Sequence, residues 1–211
     1  MRIGLLLIGG AAVLVACTAG SPPAASVATP AERGRAYYTT CQGCHGNAGE
    51  GLAGMKAPRL AGLPASYVAD QLILYRNGLR GGPEDFQGVQ MNGRAKALPS
   101  EEAVQDVAAY IATLPAPPAQ PTSPSLVAAG AAHYESCAIC HGDDGQGNMD
   151  LAAPPLAGTD AAYLARQLRN FRKGIRGRAG DERGQQMRGA AGVLPDEAAV
   201  DAVAAYSAAL K

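Results

Sequence analysis

Apolar residues recur at helical spacing in three stretches of the first half of the chain. Glu32 to Thr40 can form a helix that leads into a pair of cysteines. Ser66 to Asn77 carries Tyr67, Leu72 and Tyr75 among other apolar residues at that spacing and stops at Gly78. Glu101 to Leu114 follows Pro99 and Ser100 and opens with acidic side chains, which suit a helix N-terminus. It sets Val104, Val107, Ala108, Ile111 and Leu114 along one face. The second half returns the same order. No segment sustains period-two alternation, so the pattern predicts an all-α protein without a substantial sheet.

The return is a true repeat. A shift of 96 residues carries Cys41-Gln42-Gly43-Cys44-His45 onto Cys137-Ala138-Ile139-Cys140-His141 without a gap. The overlay continues through Pro58 on Pro154, Leu60-Ala61-Gly62 on Leu156-Ala157-Gly158, Tyr67 on Tyr163 and Gln71-Leu72 on Gln167-Leu168. Gln90-Met91 then falls on Gln186-Met187, Leu98-Pro99 on Leu194-Pro195 and Tyr110 on Tyr206. About half of roughly 80 paired positions are identical, so two copies of one small domain follow each other. The expected domains are 31–114 and 126–211. The Pro-rich segment 115–125 joins them as an extended, fairly stiff connector.

Ahead of the repeat, Met1 and Arg2 precede an apolar run from Ile3 to Ala16, too short for a bilayer span and suited to a signal peptide. The run ends in Leu14-Val15-Ala16-Cys17, which resembles a bacterial lipoprotein signal. That resemblance implies a signal peptide over 1–17, with Cys17 lipidated as the first mature residue. It also favours the outer membrane, since Thr18 is not an aspartate. The competing reading is ordinary cleavage near Ala19, with Cys17 discarded. Residues 18–30, rich in Ala, Ser, Thr and Pro, read as a disordered tether.

Charge removes one class of partner. Eighteen basic and eighteen acidic residues balance at net zero, against the basic surplus that nucleic-acid binding needs. Trp is absent and Phe occurs twice, thin material for two cores, so a bound cofactor is expected to fill part of the interior. Arg166 to Arg188 concentrates eight basic side chains against Asp181 and Glu182. Two readings stand at this point: a solvated face, or arginines that pair with cofactor carboxylates or dock an acidic partner.

Cys-x-x-Cys-His is the sequence for covalent haem attachment: Cys41, Cys44, Cys137 and Cys140 supply thioethers, and His45 and His141 each supply an axial nitrogen. A zinc site would need more ligands, and the remaining histidine, His133, overlays Tyr37. A thioredoxin-like pair does not call for the adjacent histidine and sits beside a sheet. Beyond the initiator, only Met91 and Met187 occupy equivalent positions, each 46 residues after its histidine. Met55 overlays Leu151, and Met149 overlays Ala53. Met91 and Met187 are expected in Gly-flanked polar loops, Gly88 to Gly93 and Gly184 to Gly189, as sixth ligands rather than core fillers. Thioether sulfur favours ferrous iron and closes the coordination sphere, which suits electron transfer rather than catalysis at iron.

On these motifs each half resembles a class I cytochrome c domain, and the tandem resembles the dihaem cytochrome c-4 family over about residues 31–211. The resemblance implies three to four helices around a covalent haem c in each domain. The family's Ala-Pro-x-Leu-x-Gly segment matches Ala57 to Gly62 and Ala153 to Gly158. It implies that the carbonyls of Pro58 and Pro154 accept hydrogen bonds from the non-ligating nitrogens of His45 and His141, and that Leu60 and Leu156 pack on haem. A simple turn is the plainer reading of those segments.

The expected function is a non-catalytic dihaem electron carrier, exported to the periplasmic side of a bacterial membrane and held there by lipid on Cys17. It would pass electrons between a respiratory complex or dehydrogenase and an oxidase or reductase, with no small-molecule substrate of its own. The alternative is the haem subunit of a larger oxidoreductase, of the flavocytochrome sulfide dehydrogenase or alcohol dehydrogenase type. Direct catalysis, as in dihaem peroxidases or thiosulfate-oxidising cytochromes, needs an open or labile iron, against which the paired methionines weigh.

Overall fold

The computed structural model describes residues 28–211. The apolar run, Cys17 and most of the expected tether lie outside the described residues. The first helix, α1 (Pro30–Tyr38), is started by Thr29, whose hydroxyl accepts from the Glu32 N–H while the Glu32 carboxylate accepts from the Thr29 N–H at 2.7 Å. This reciprocal capping satisfies two of the orphan donors of a helix start. The half continues through α2 (Gln42–His45), α3 (Ala65–Arg76), α4 (Phe86–Lys96) and α5 (Glu101–Ala112). The second half follows with α6 (Pro124–His141), α7 (Ala161–Arg172), α8 (Glu182–Gly192) and α9 (Glu197–Ala209). Among the described residues the only β pairings are the isolated bridges Leu52–Ala57 and Asn148–Ala153, so the all-α expectation holds.

The lead helix of each half differs from the expectation in opposite directions. In the first half it ends at Tyr38, and the Thr39 and Thr40 hydroxyls donate to the carbonyls of Ala36 and Tyr37 at 2.7 and 3.0 Å. Such local bonds compete with the helix ladder and favour a stop. The second half has Glu135 and Ser136 there, and α6 runs unbroken to His141.

Each lead helix crosses the last helix of its half, α1 on α5 and α6 on α9, and α3 and α7 close the other side. Tyr38, Val68, Val104, Val107 and Ile111 form the first core, and Tyr134, Leu164, Val200 and Val203 the second. Burial of such a side chain stabilises by about 1.5–3 kcal/mol. Gly34 and Gly130 sit at the crossings, where a Cβ would overlap the carbonyl oxygens of Asp106 and Ala202.

The halves meet over a polar seam. Arg59 donates to the Ala157 carbonyl and Arg166 to the Lys56 carbonyl, both at 2.8 Å. Arg178 pairs with Glu84 at 3.2 Å and Arg183 with Asp70 at 3.0 Å. Arg169 and Arg172 instead pair with Glu197, and Arg169 also with Asp201, inside the second half. The basic stretch is therefore neither a plain solvated face nor a free docking patch. Arg169, Arg172, Arg178 and Arg183 are held by carboxylates, and Arg166 and Arg176 by carbonyl or amide oxygens within the chain.

Candidate functional site

Each half carries a cavity of about 520 Å³, walled in part by the other half and within the 300–1,000 Å³ range of cofactor sites. In the first, α2 turns Cys41, Cys44 and His45 onto one wall. In the second, the last turns of α6 do the same for Cys137, Cys140 and His141. One helical turn separates the cysteines of each pair, so both sulfurs of a pair face the same space.

The histidines are buried, each 5% exposed. His45 Nδ1 lies 2.8 Å from the Pro58 carbonyl and His141 Nδ1 2.8 Å from the Pro154 carbonyl; the ring N–H donates in each. Burial pulls both imidazoles below their ordinary value, and the carbonyl contact opposes it in part. A neutral ring with a fixed Nδ1–H leaves Nε2 free to bind a metal. Tyr38 donates to the Gly46 carbonyl at 2.7 Å and Tyr134 to the Gly142 carbonyl at 2.8 Å, tying down the residue after each histidine.

Met91 and Met187 each line the cavity that holds their histidine, as do Pro58 with Leu60 and Pro154 with Leu156. The methionines do not sit in loops. Met91 is inside α4 and Met187 inside α8. The Asp85 and Asp181 carboxylates cap these helices, accepting from the N–H groups of Gly88 and Gly184 at 3.1 and 2.9 Å. The glycines that suggest a loop are helical: a Cβ on Gly88 or Gly184 would overlap the capping carboxylate. Met55 also reaches the first cavity, but it is 52% exposed and Leu151 takes its place in the second.

The residues fit a covalent haem: paired thiols, an oriented imidazole and a soft sulfur line one side-chain-free volume in each half. No group of three or more His, Cys, Asp and Glu suited to a bare metal ion occurs among the described residues.

Sequence reasoning missed what joins the cavities. Tyr67, Gln71, Tyr163 and Gln167 line both. Arg80 donates to Gln71 and Gln167 at 2.6 and 3.0 Å, and Arg176 donates to the same two amide oxygens at 2.9 Å each. Arg80 also reaches the Tyr163 hydroxyl at 2.9 Å. Burial raises the Tyr163 phenol, but the charges of Arg80 and Arg176 and the Arg80 hydrogen bond outweigh it and hold it below its usual value. The available signal was that polar residues, Arg80 on Arg176 included, are identical in both copies.

The family described as cytochrome c matches twice, over residues 31–115 and 127–211. Cytochrome c4 of Azotobacter vinelandii is 32% identical over 183 residues, covering 81% of this chain and 86% of that one. The thiosulfate dehydrogenase electron acceptor of Stutzerimonas stutzeri is 36% identical over 147 residues, 64% of each chain. The crystal structure of reduced recombinant cytochrome c4 from Pseudomonas stutzeri superposes with a TM-score of 0.74 at 30% identity, covering 86% of this chain and 98% of that one.

Proposed function

The chain belongs to the cytochrome c family, with two tandem domains that each bind a covalent haem c, and from that premise we propose that it carries electrons one at a time between protein partners. Haem iron supplies the one-electron exchange between ferrous and ferric states. Cys41 and Cys44, and Cys137 and Cys140, hold the two groups by thioether bonds. His45 with Met91 and His141 with Met187 would supply the nitrogen and sulfur that hold each iron, since each pair lines one cavity. The Pro58 and Pro154 carbonyls fix the imidazole rings, and Leu60 and Leu156 exclude water beside them. With a histidine and a methionine both engaged at each site, no position would be left for a substrate, so the chain would work as a carrier rather than a catalyst.

The observation that supports this reading most is the shared wall of the two cavities, which brings the haem sites together across Tyr67, Gln71, Tyr163 and Gln167. Two closed sites that share a wall form a relay. The chain is exported and acts on the periplasmic side of a bacterial membrane. Cys17, outside the described residues, supports a lipid tether by its sequence setting, and no described helix is long and apolar enough to cross a membrane.

The axial pairs are tested by substitution. Met91→Ala and Met187→Ala should each lower one reduction potential and open one iron to carbon monoxide, with two haems still bound. Met55→Ala should do neither. The assignment fails if Met55→Ala has those effects and Met91→Ala does not.

A second reading, the haem subunit of a larger oxidoreductase, draws support from the likeness to the thiosulfate dehydrogenase electron acceptor. Purification from native membranes separates the two: a stoichiometric catalytic partner makes it a subunit, and its absence a free carrier.

A further inference from the structure

The two cavities are copies in most of their walls but not in charge. Lys56, Arg59 and Arg94 line the first, and their equivalents Ala152, Pro155 and Ala190 occupy the matching positions. Ala152 and Ala190 line the second cavity, while Pro155 reaches into the first. Across the seam, Arg166 of α7 reaches the first cavity, whereas the equivalent residue of α3, which reaches the second, is Asp70. The second cavity has its own Arg183, but Asp70 neutralises it at 3.0 Å, and Glu182 adds a further negative charge to that wall.

The cations of the first cavity are not neutralised in the same way. Arg59 is 8% exposed, and its one hydrogen bond goes to the Ala157 carbonyl, with its Nε buried and unpartnered. Burial pulls its guanidinium below the ordinary value, and no carboxylate opposes that pull. Arg166 bonds the Lys56 carbonyl, and its Nε is likewise buried without a partner. Arg80 and Arg176 repeat one another and lean on the same two glutamines, so they favour neither site.

We propose that the centre held by His45 and Met91 is the higher-potential one, so that a single electron on the half-reduced protein rests on the first half. The inference rests on the axial pairs proposed above. Reduction adds one negative charge to a site, so nearby cations stabilise the reduced form and nearby carboxylates oppose it. Partly buried charges act with less screening than exposed ones. A bias of about tenfold in favour of electron residence on the first site follows, equal to about 59 mV for a one-electron couple.

Spectroelectrochemical titration of the purified dihaem protein should resolve two one-electron waves. Arg94→Ala, an exposed change to the residue found at the equivalent second-half position, should lower the upper wave by about threefold in its equilibrium constant and leave the lower wave in place. Asp70→Asn removes a carboxylate and frees Arg183, so it should raise the lower wave and narrow the split. The order is overturned if Arg94→Ala moves the lower wave or neither, or if Asp70→Asn raises the upper wave. Inverted waves with both sulfur-to-iron absorption bands intact would sink this inference alone. Loss of those bands from the unmutated protein would sink the axial assignment beneath it.

Discussion

The two halves keep the same cofactor wall but secure it by different means. In the first, the helix before the cysteines breaks at Thr39 and α2 restarts the chain, while an Arg33–Asp106 ion pair ties α1 to α5. In the second, α6 runs through to His141 without a break, and Ala129 and Ala202 replace that pair. What does not vary is the glycine at the helix crossing, the tyrosine that bonds the carbonyl after the histidine, and the proline carbonyl on the imidazole. Shared features fix where the cysteines and histidine point, and the rest has drifted around them.

The crossings give the strongest way to break this comparison. Gly34→Ala would push a methyl group into the Asp106 carbonyl and Gly130→Ala into the Ala202 carbonyl, both backbone atoms that cannot swing aside. Each variant should lose about 3 kcal/mol, the upper range for overpacking. Denaturant titration of the haem-loaded protein, followed by circular dichroism, reads the loss. A harmless Gly130→Ala would mean that α6 and α9 do not pack as α1 and α5 do.

A smaller effect should fall on the first half alone. Arg33 holds the buried Asp106 carboxylate through two bonds, at 2.7 Å from Nε and 2.6 Å from a terminal nitrogen. Removing the arginine strands that carboxylate, which is the costly way to break such a pair. Arg33→Ala should therefore lower the denaturation midpoint, and Arg33→Ala with Asp106→Ala, which copies the second half, should regain most of the loss. A double variant no better than the single would show that the carboxylate is not what suffers, and a cycle over both sites measures it directly.

Helix order, the repeat and the residues on the cofactor wall were legible in the sequence because each has a local signature. Cys-x-x-Cys-His needs one helical turn to present both thiols, and Ser66 to Asn77 and Glu101 to Leu114 follow a helical period that α3 and α5 keep within two residues. The loops expected around Met91 and Met187 were misread because glycine normally argues against a helix interior. Here Gly88 and Gly184 make room for the capping carboxylates of Asp85 and Asp181, a contact that composition does not reveal. The fate of Arg166 to Arg188 was illegible for another reason. Its partners Glu84 and Asp70 lie about a hundred residues away, and only the packing of one half on the other brings them together.

The smallest effect concerns a feature the halves share, and it carries its own pH signature. Tyr38→Phe and Tyr134→Phe each remove one hydrogen bond to the carbonyl after a ligating histidine, at a cost of about 1 kcal/mol near neutral pH. Burial raises both phenols, Tyr134 from 10.0 to about 12 and Tyr38 in the same direction. A raised phenol keeps its proton in the folded state after the unfolded chain has lost its own. The stabilisation is therefore complete below pH 10.0 and is lost as pH climbs through about 12. Tyr134→Phe has no such proton to lose. The stability gap between the unmutated protein and this variant should stay constant below that window, then close and reverse across it. A gap that holds constant through the alkaline range would mean that Tyr134 is not a buried phenol, and the second half would then fix His141 without the tie that the first half uses for His45.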